Sequence, residues 1–222
     1  MLIRILLNSL MVLIASTTMA VAVAEGTYLE GTYVEGTHYE VIDIPVATGL
    51  EAELPRKVEV VEVFSYMCVH CYSFDPLLER WEQGKSEQAV FNRLPAVFSP
   101  DWALMAQAFY TAEILGVTEQ MHEPLFAAIH TQPKNLRDED IMAALFEDNA
   151  GISTEEFGKS YNSFFVRSRV MQAQAKGRAY GITGVPMMIV NGKYRVGARM
   201  AGSNQGMLDV VDFLVQKELA AE

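Results

Sequence analysis

Cysteine is almost absent from this sequence: 222 residues contain two, Cys68 and Cys71. One pair cannot build a framework of bridges, and a chain of this length can bury a core without such staples. Zinc wants about four ligands, and the usual second half of a C-x-x-C site is another C-x-x-C or H-x₃₋₅-H. There is no third cysteine, and His122 and His130 stand too far apart for that spacing. No metal site is expected. Basic residues are also scarce, with 17 Lys and Arg against 28 Asp and Glu and a formal charge of −11. That balance argues against a nucleic-acid binder, which needs a basic surface to neutralise phosphates. No cysteine directly follows the N-terminal apolar run, which excludes a lipid-modified N-terminal cysteine.

That run is a targeting signal. Arg4 is the only charged residue before Glu25, and Ile5 to Ala24 is apolar, softened by Asn8, Ser9, Ser16, Thr17 and Thr18. Ala22-Val23-Ala24 is a small-x-small cleavage site, with Thr18-Met19-Ala20 as a second choice. A cleavable signal peptide over 1–24 accounts for this pattern. The rival is an uncleaved anchor, since the run is just long enough to span a bilayer. Cleavage after Ala24 removes one Arg and no acid, leaving a charge of −12.

An exported protein sits where disulfides persist. Yet a C-x-x-C pair closes so short a loop that it removes little chain entropy as a staple. Its purpose is therefore chemical.

Along the chain, Glu25-Gly26-Thr27-Tyr28-Leu29 repeats twice more, ending at Tyr39, with a period too short for a solenoid. Residues 25–38 read as an extension. Tyr39 to Ile42 is a short strand, and Leu50 to Arg56 a polar connector. Val58 to Phe64 is Val-rich and reads as a buried strand. Phe74, Leu77, Leu78 and Trp81 give helical spacing over Cys71 to Gln83, with an interruption expected at Pro76. Ala89 to Phe98 is another strand. Residues 101–180 are helix-rich: Trp102–Leu115, Met121–His130, Glu139–Asn149 and Ser153 onward, with Asp138 and Ser153 as N-caps. Strands resume at Val185 to Val190, and Asn191-Gly192 leads into Lys193 to Val196, a strong hairpin signal. Gln205 to Ala221 is a closing amphipathic helix. The fold class is α/β, a thioredoxin-type arrangement with an inserted helical domain: 39–100 and 181–222 form one unit, and 101–180 the insert.

A cysteine at the start of a helix meets free N–H groups and the positive end of the dipole, which stabilise a thiolate. Cys68 is thus the nucleophilic sulfur and Cys71, one turn on, the resolving one. His70 lies between them and can lend a hydrogen bond or positive charge to the Cys68 thiolate, which makes the disulfide a stronger oxidant. The bland alternative is a solvated ring. His38, His122 and His130 are read as surface or core filling. Glu62, in the Val-rich strand, could shuttle the proton of Cys71 if burial raises its pKa. The alternative is a half-exposed strand with Glu62 in solvent. Glu59 and Glu62 have opposite parity, so one of them is expected to face inward. Pro186 after Val185 is expected to be cis and to place backbone beside the C-x-x-C for substrate pairing.

Glu62-Val63-Phe64-Ser65-Tyr66-Met67-Cys68-Val69-His70-Cys71-Tyr72, then Gly184-Val185-Pro186, Val190 to Tyr194 and Asn162-Ser163-Phe164 together resemble the DsbA family of periplasmic thiol:disulfide interchange proteins. The likeness runs from about Glu35 to the C-terminal helix. It implies a thioredoxin fold interrupted by helices and a disulfide donated to exported proteins with free cysteines. It also implies a DsbB-like membrane quinone oxidoreductase as electron acceptor, no cofactor beyond the Cys68–Cys71 disulfide, a monomer, and a periplasmic location. Glu62 matches the family's buried acid and Pro186 its cis-proline. Val69 departs from it, because the family's motif has proline there, and this is the position expected to tune the strength of the oxidant. Two other readings stand beside this one. The first is a reductase or isomerase of the same fold, although residues 25–50 are short for an isomerase's dimerisation domain. The second is a peptide-binding chaperone with incidental cysteines.

Overall fold

The computed structural model describes residues 32–48, 50 and 57–221. The signal peptide and the first repeat copy lie outside these residues, as do positions 51–56 of the connector.

A five-stranded sheet forms the middle layer. Its strands are β1 (Glu40–Val41), β2 (Val58–Phe64), β3 (Ala89–Pro95), β4 (Met187–Val190) and β5 (Tyr194–Val196), in the order β1-β5-β4-β2-β3. Only β2 and β3 are parallel. They are joined by a crossover through α1 (Val69–Gly84). Five helices follow β3 before the chain returns to the sheet: α2 (Pro100–Ile114), α3 (Thr118–His130), α4 (Glu139–Ala150), α5 (Thr154–Tyr161) and α6 (Phe164–Ala179). The short α7 (Ala198–Ala201) and the long α8 (Asn204–Ala220) close the chain.

All seven residues of β2 are buried, because both faces of the sheet are covered. Val58 and Val60 pack with Phe74 and Leu78 of α1 and with Met207, Val211 and Leu214 of α8. Val61 and Val63 belong to the other core, with Met105, Phe109, Phe126 and Ala173 of the helical block. This explains one difference from the sequence reading. Glu59 and Glu62 do lie on opposite faces, but both are buried, at 4% and 1% exposure.

Several expected signals act as anticipated. The side chains of Asp138 and Ser153 accept from the backbone N–H groups of Asp140 and Glu156, capping α4 and α5. Asn191 and Gly192 both have positive φ, as the hairpin requires. A Cβ at Gly192 would meet the Val46 carbonyl oxygen at 1.9 Å, so that position also has no room for a side chain. The third copy of the repeat turns on Gly36 and docks. Its Tyr39 is buried, and Tyr33 of the second copy packs edge-on against Phe213 of α8.

Three boundaries differ. Helix α1 begins at Val69 and runs through Pro76 without interruption. Pro76 is exposed, so its ring and missing N–H lie on the solvent side of α1 rather than in the core. The strand expected over Ala89 to Phe98 ends at Pro95. The helix expected from Ser153 onward is two, because Ser163 caps a new one by accepting from Val166 N–H.

Candidate active site

β2 runs directly into the reactive loop. Cys68 is the N-cap of α1, with extended backbone (φ −97°, ψ 113°), and its sulfur accepts from the backbone N–H of Cys71 at 3.2 Å. The Tyr72 N–H to Cys68 carbonyl bond, 3.0 Å, closes the first turn. One turn separates the sulfurs' environments sharply. Cys68 is half-buried and Cys71 fully buried, and both are free thiols. The Cys68 thiol is pulled down to about 6. The Cys71 side chain hydrogen-bonds to it, desolvation opposes the fall, and the backbone N–H groups of Cys71 and His70 and the His70 ring add to it. Burial pushes the Cys71 thiol up, and its hydrogen bond to Cys68 and the nearby Glu62 charge push the same way. The pair is therefore one acidic, accessible sulfur backed by one that holds its proton. That is the polarity thiol–disulfide exchange needs.

The Val185–Pro186 bond is cis, and the Val185 carbonyl lies 3.5 Å from the Cys68 sulfur. Val69 and His70 are exposed on the first turn of α1. Tyr66 and Met188 are core residues, whereas Met67 is exposed beside Cys68.

Glu62 lies on the same side of the sheet as α1. Burial drives its carboxyl up to about 8, against the pull of Arg93. Arg93 Nε donates to Glu62 Oε2 at 3.2 Å, and its other arm reaches Asp75 Oδ1 at 3.4 Å. Asp75 Oδ1 also meets His122 Nε2 at 2.9 Å, and His122 Nδ1 meets the Tyr66 hydroxyl at 3.0 Å. His130 reaches the Tyr66 carbonyl at 2.8 Å and stacks on Tyr72, tying α3 to both sides of the C-x-x-C. Sequence reading named Cys68, His70, Cys71, Glu62, Val185 and Pro186, and the fold brings these into one region. It missed Asp75, Arg93, His122 and His130. Asp75 had a signal, since it stands four residues after Cys71 on one face of α1. Arg93 had none, because its position opposite Glu62 depends on the β2–β3 register. The two histidines, taken as surface or core filling, are structural partners of the reactive loop.

An acidic N-cap cysteine backed by a buried one, beside a cis-proline loop on a mixed sheet, defines a thioredoxin-fold thiol:disulfide oxidoreductase. Comparison with known proteins narrows this. The family described as DSBA-like thioredoxin domain matches residues 78–208. The chain is 38% identical over 178 residues to the thiol:disulfide interchange protein DsbA of Pseudomonas aeruginosa, covering 80% of this chain and 84% of that protein. It is 38% identical over 179 residues to DsbA of Azotobacter vinelandii, covering 81% and 83%. Among solved structures, P. aeruginosa DsbA superposes with a TM-score of 0.78 at 38% identity, over 85% of this chain and 96% of that one. DsbA of Xylella fastidiosa does so with 0.77 at 31% identity, over 85% and 98%. This chain belongs to the DsbA family of thiol:disulfide interchange proteins. The matched family region begins after Cys71, so the assignment of the sulfurs rests on the geometry above.

Proposed function

We propose that the protein is a periplasmic dithiol oxidase whose substrates are exported proteins with free cysteines. The observation that carries this reading is the difference between the two sulfurs. At pH 7 a thiol titrating near 6 is mostly thiolate, so the reduced form is stabilised and the disulfide is correspondingly oxidising.

In the oxidised enzyme a substrate thiolate attacks Sγ of Cys68. The Cys68–Cys71 bond breaks and its electron pair goes to Cys71. The buried Cys71 thiolate takes a proton, and Glu62 is the donor, being a carboxyl that still holds its proton near neutrality. A second substrate thiolate then attacks the substrate sulfur of the mixed disulfide, and Cys68 leaves as the stabilised thiolate. Two electrons pass from the substrate pair to the enzyme pair. No other redox group is needed. Regeneration removes the same two electrons and falls to a DsbB-like membrane quinone oxidoreductase.

The remaining roles follow from position. The Val185 carbonyl beside the sulfur offers backbone pairing to an extended substrate, and Pro186, without an N–H, adds no donor there. The His70 ring supplies positive charge to the thiolate, and Val69 tunes the backbone of the first turn. Export through the 1–24 signal and action as a monomer complete the proposal.

Equilibration of the reduced and oxidised protein in a glutathione buffer tests it. A reduction potential near or above about −180 mV is expected. A value near about −270 mV, that of a thioredoxin-like reductant, would overturn it.

A further inference from the structure

His122 is nearly enclosed, at 5% exposure, yet neither ring nitrogen is idle. The Tyr66 hydroxyl lies 3.0 Å from Nδ1 and Asp75 Oδ1 lies 2.9 Å from Nε2. A neutral ring satisfies both contacts in one way: Tyr66 donates to Nδ1, and Nε2–H donates to Asp75. Asp75 in turn accepts from Arg93, whose Nε donates to Glu62. The guanidinium is thus forked between two carboxylates, and only one of them serves Cys71. Phe64 meets the imidazole at a tilt and Phe126 edge-on, so its reach to Asp75 is fixed by packing. On its outer side His122 borders a cavity of about 500 Å³ whose charged groups come from three elements: Glu79 and Glu82 of α1 with Lys85 just after it, Arg93 of β3, and Glu119 and Glu123 of α3.

We propose that His122 is a positioning residue for the exchange reaction: by donating to Asp75 it limits the claim of Asp75 on Arg93, and so decides how much of the guanidinium stabilises the Glu62 carboxylate. This rests on the reading of Glu62 as the group that exchanges a proton with Cys71. Without the His122 donor, Asp75 is left with Arg93 alone and draws it from Glu62. Without the Asp75 charge, Arg93 goes wholly to Glu62. The two losses therefore act on Glu62 in opposite directions.

The experiment follows the attack of Cys71 on a mixed disulfide between Cys68 and thionitrobenzoate, read from the second release of the coloured thiolate across pH. Glu62→Gln identifies the step in the profile that belongs to Glu62. His122→Phe, which keeps the ring packing and loses both hydrogen bonds, is expected to move that step up by about one pH unit. Asp75→Asn is expected to move it down by a similar amount. His122→Gln, which keeps an amide donor for Asp75, should lie within about 0.3 unit of wild type. In wild type, the His122 ring-nitrogen NMR signal should show an inflection at the same step, absent in Glu62→Gln; this reading stands even where the Phe variant does not fold. Shifts of the same sign in both variants, no shift in either, a Gln variant that behaves like Phe, or an NMR signal blind to the Glu62 step would overturn the proposal. A step that survives Glu62→Gln would overturn the Glu62 reading itself, and the proposal with it. A step that Glu62→Gln removes but His122 variants leave in place would overturn the proposal alone.

Discussion

At the scale of single residues, the chemistry divides between what sequence spacing can place and what only a sheet register can. Cys68 and Cys71 are one helical turn apart whatever the rest of the fold does, so their roles are legible in four letters. Glu62 is half-legible: a carboxylate in a Val-rich strand needs a partner, but the sequence does not say which. Its partner Arg93 stands 31 residues away and faces it only because β2 and β3 pair in parallel at that register. Burial outweighs the Arg93 pull, and the carboxyl ends up near 8, where it can both give and take a proton at physiological pH. Glu62→Gln keeps the shape and removes that capacity. It should slow the attack of Cys71 on a mixed disulfide by about 100-fold at pH 7, the low end of general acid–base contributions. Stopped-flow release of the leaving thiolate measures it. An unchanged rate and pH profile would leave Glu62 with no part in the proton transfer.

At the scale of elements, start and stop signals were the reliable part of the sequence. Asp138, Ser153 and the Asn191-Gly192 turn act through local backbone geometry, and local geometry is what a sequence encodes directly. Pro76 misled because the sequence does not say which side of α1 meets solvent. Val69 is the element-scale departure from the family pattern, and the structure signs its effect. The thiolate's backbone donors are the N–H groups of His70 and Cys71, so a proline at 69 removes neither. Position 69 is the first residue of α1, where a proline's φ fits and its missing N–H is not needed. Cys68 before it is already extended, as a residue preceding proline must be. Val69→Pro should therefore be accepted, with a gain of about 0.4–1 kcal/mol from the stiffer unfolded chain. The Cys68 titration should stay near 6. Thermal unfolding and thiolate absorbance across pH check the two halves; a Cys68 midpoint moved by a full unit would mean that Val69 tunes the sulfur through more than its backbone.

At the scale of the molecule, the sheet is covered on both faces and the reactive pair packs into the core that the helical block shares. Sequence patterning fixed the β-helices-β order but not this double coverage, which is why both Glu59 and Glu62 are buried when only one was expected to be. The same arrangement couples global stability to redox state and pH. In the reduced protein the folded state holds Cys68 near 6 against an ordinary value of 9.0. Between those values the folded form has released a proton that the unfolded form still binds, so stability rises with pH across about 6–9 and the gain is lost as pH falls through 6. Glu62 acts with the opposite sign: raised from 4.5 to about 8, it keeps a proton the unfolded chain has lost, and stability falls as pH rises through that window. Glu62 titrates in both redox forms, whereas Cys68 titrates only when reduced. Cys71 also titrates only when reduced, but burial raises its thiol, so it opposes Cys68 only as pH nears the ordinary 9.0; below that, the difference in stability between reduced and oxidised protein reports mainly on Cys68. Discounted for the partial exposure of Cys68, that difference should grow in favour of the reduced form by about 2 kcal/mol between pH 6 and 9. For a chain of this size that is about 4–8 °C in Tm. Paired thermal scans of the two redox forms at each pH measure it, and a gap that does not widen with pH would mean the thiolate is not stabilised by the fold.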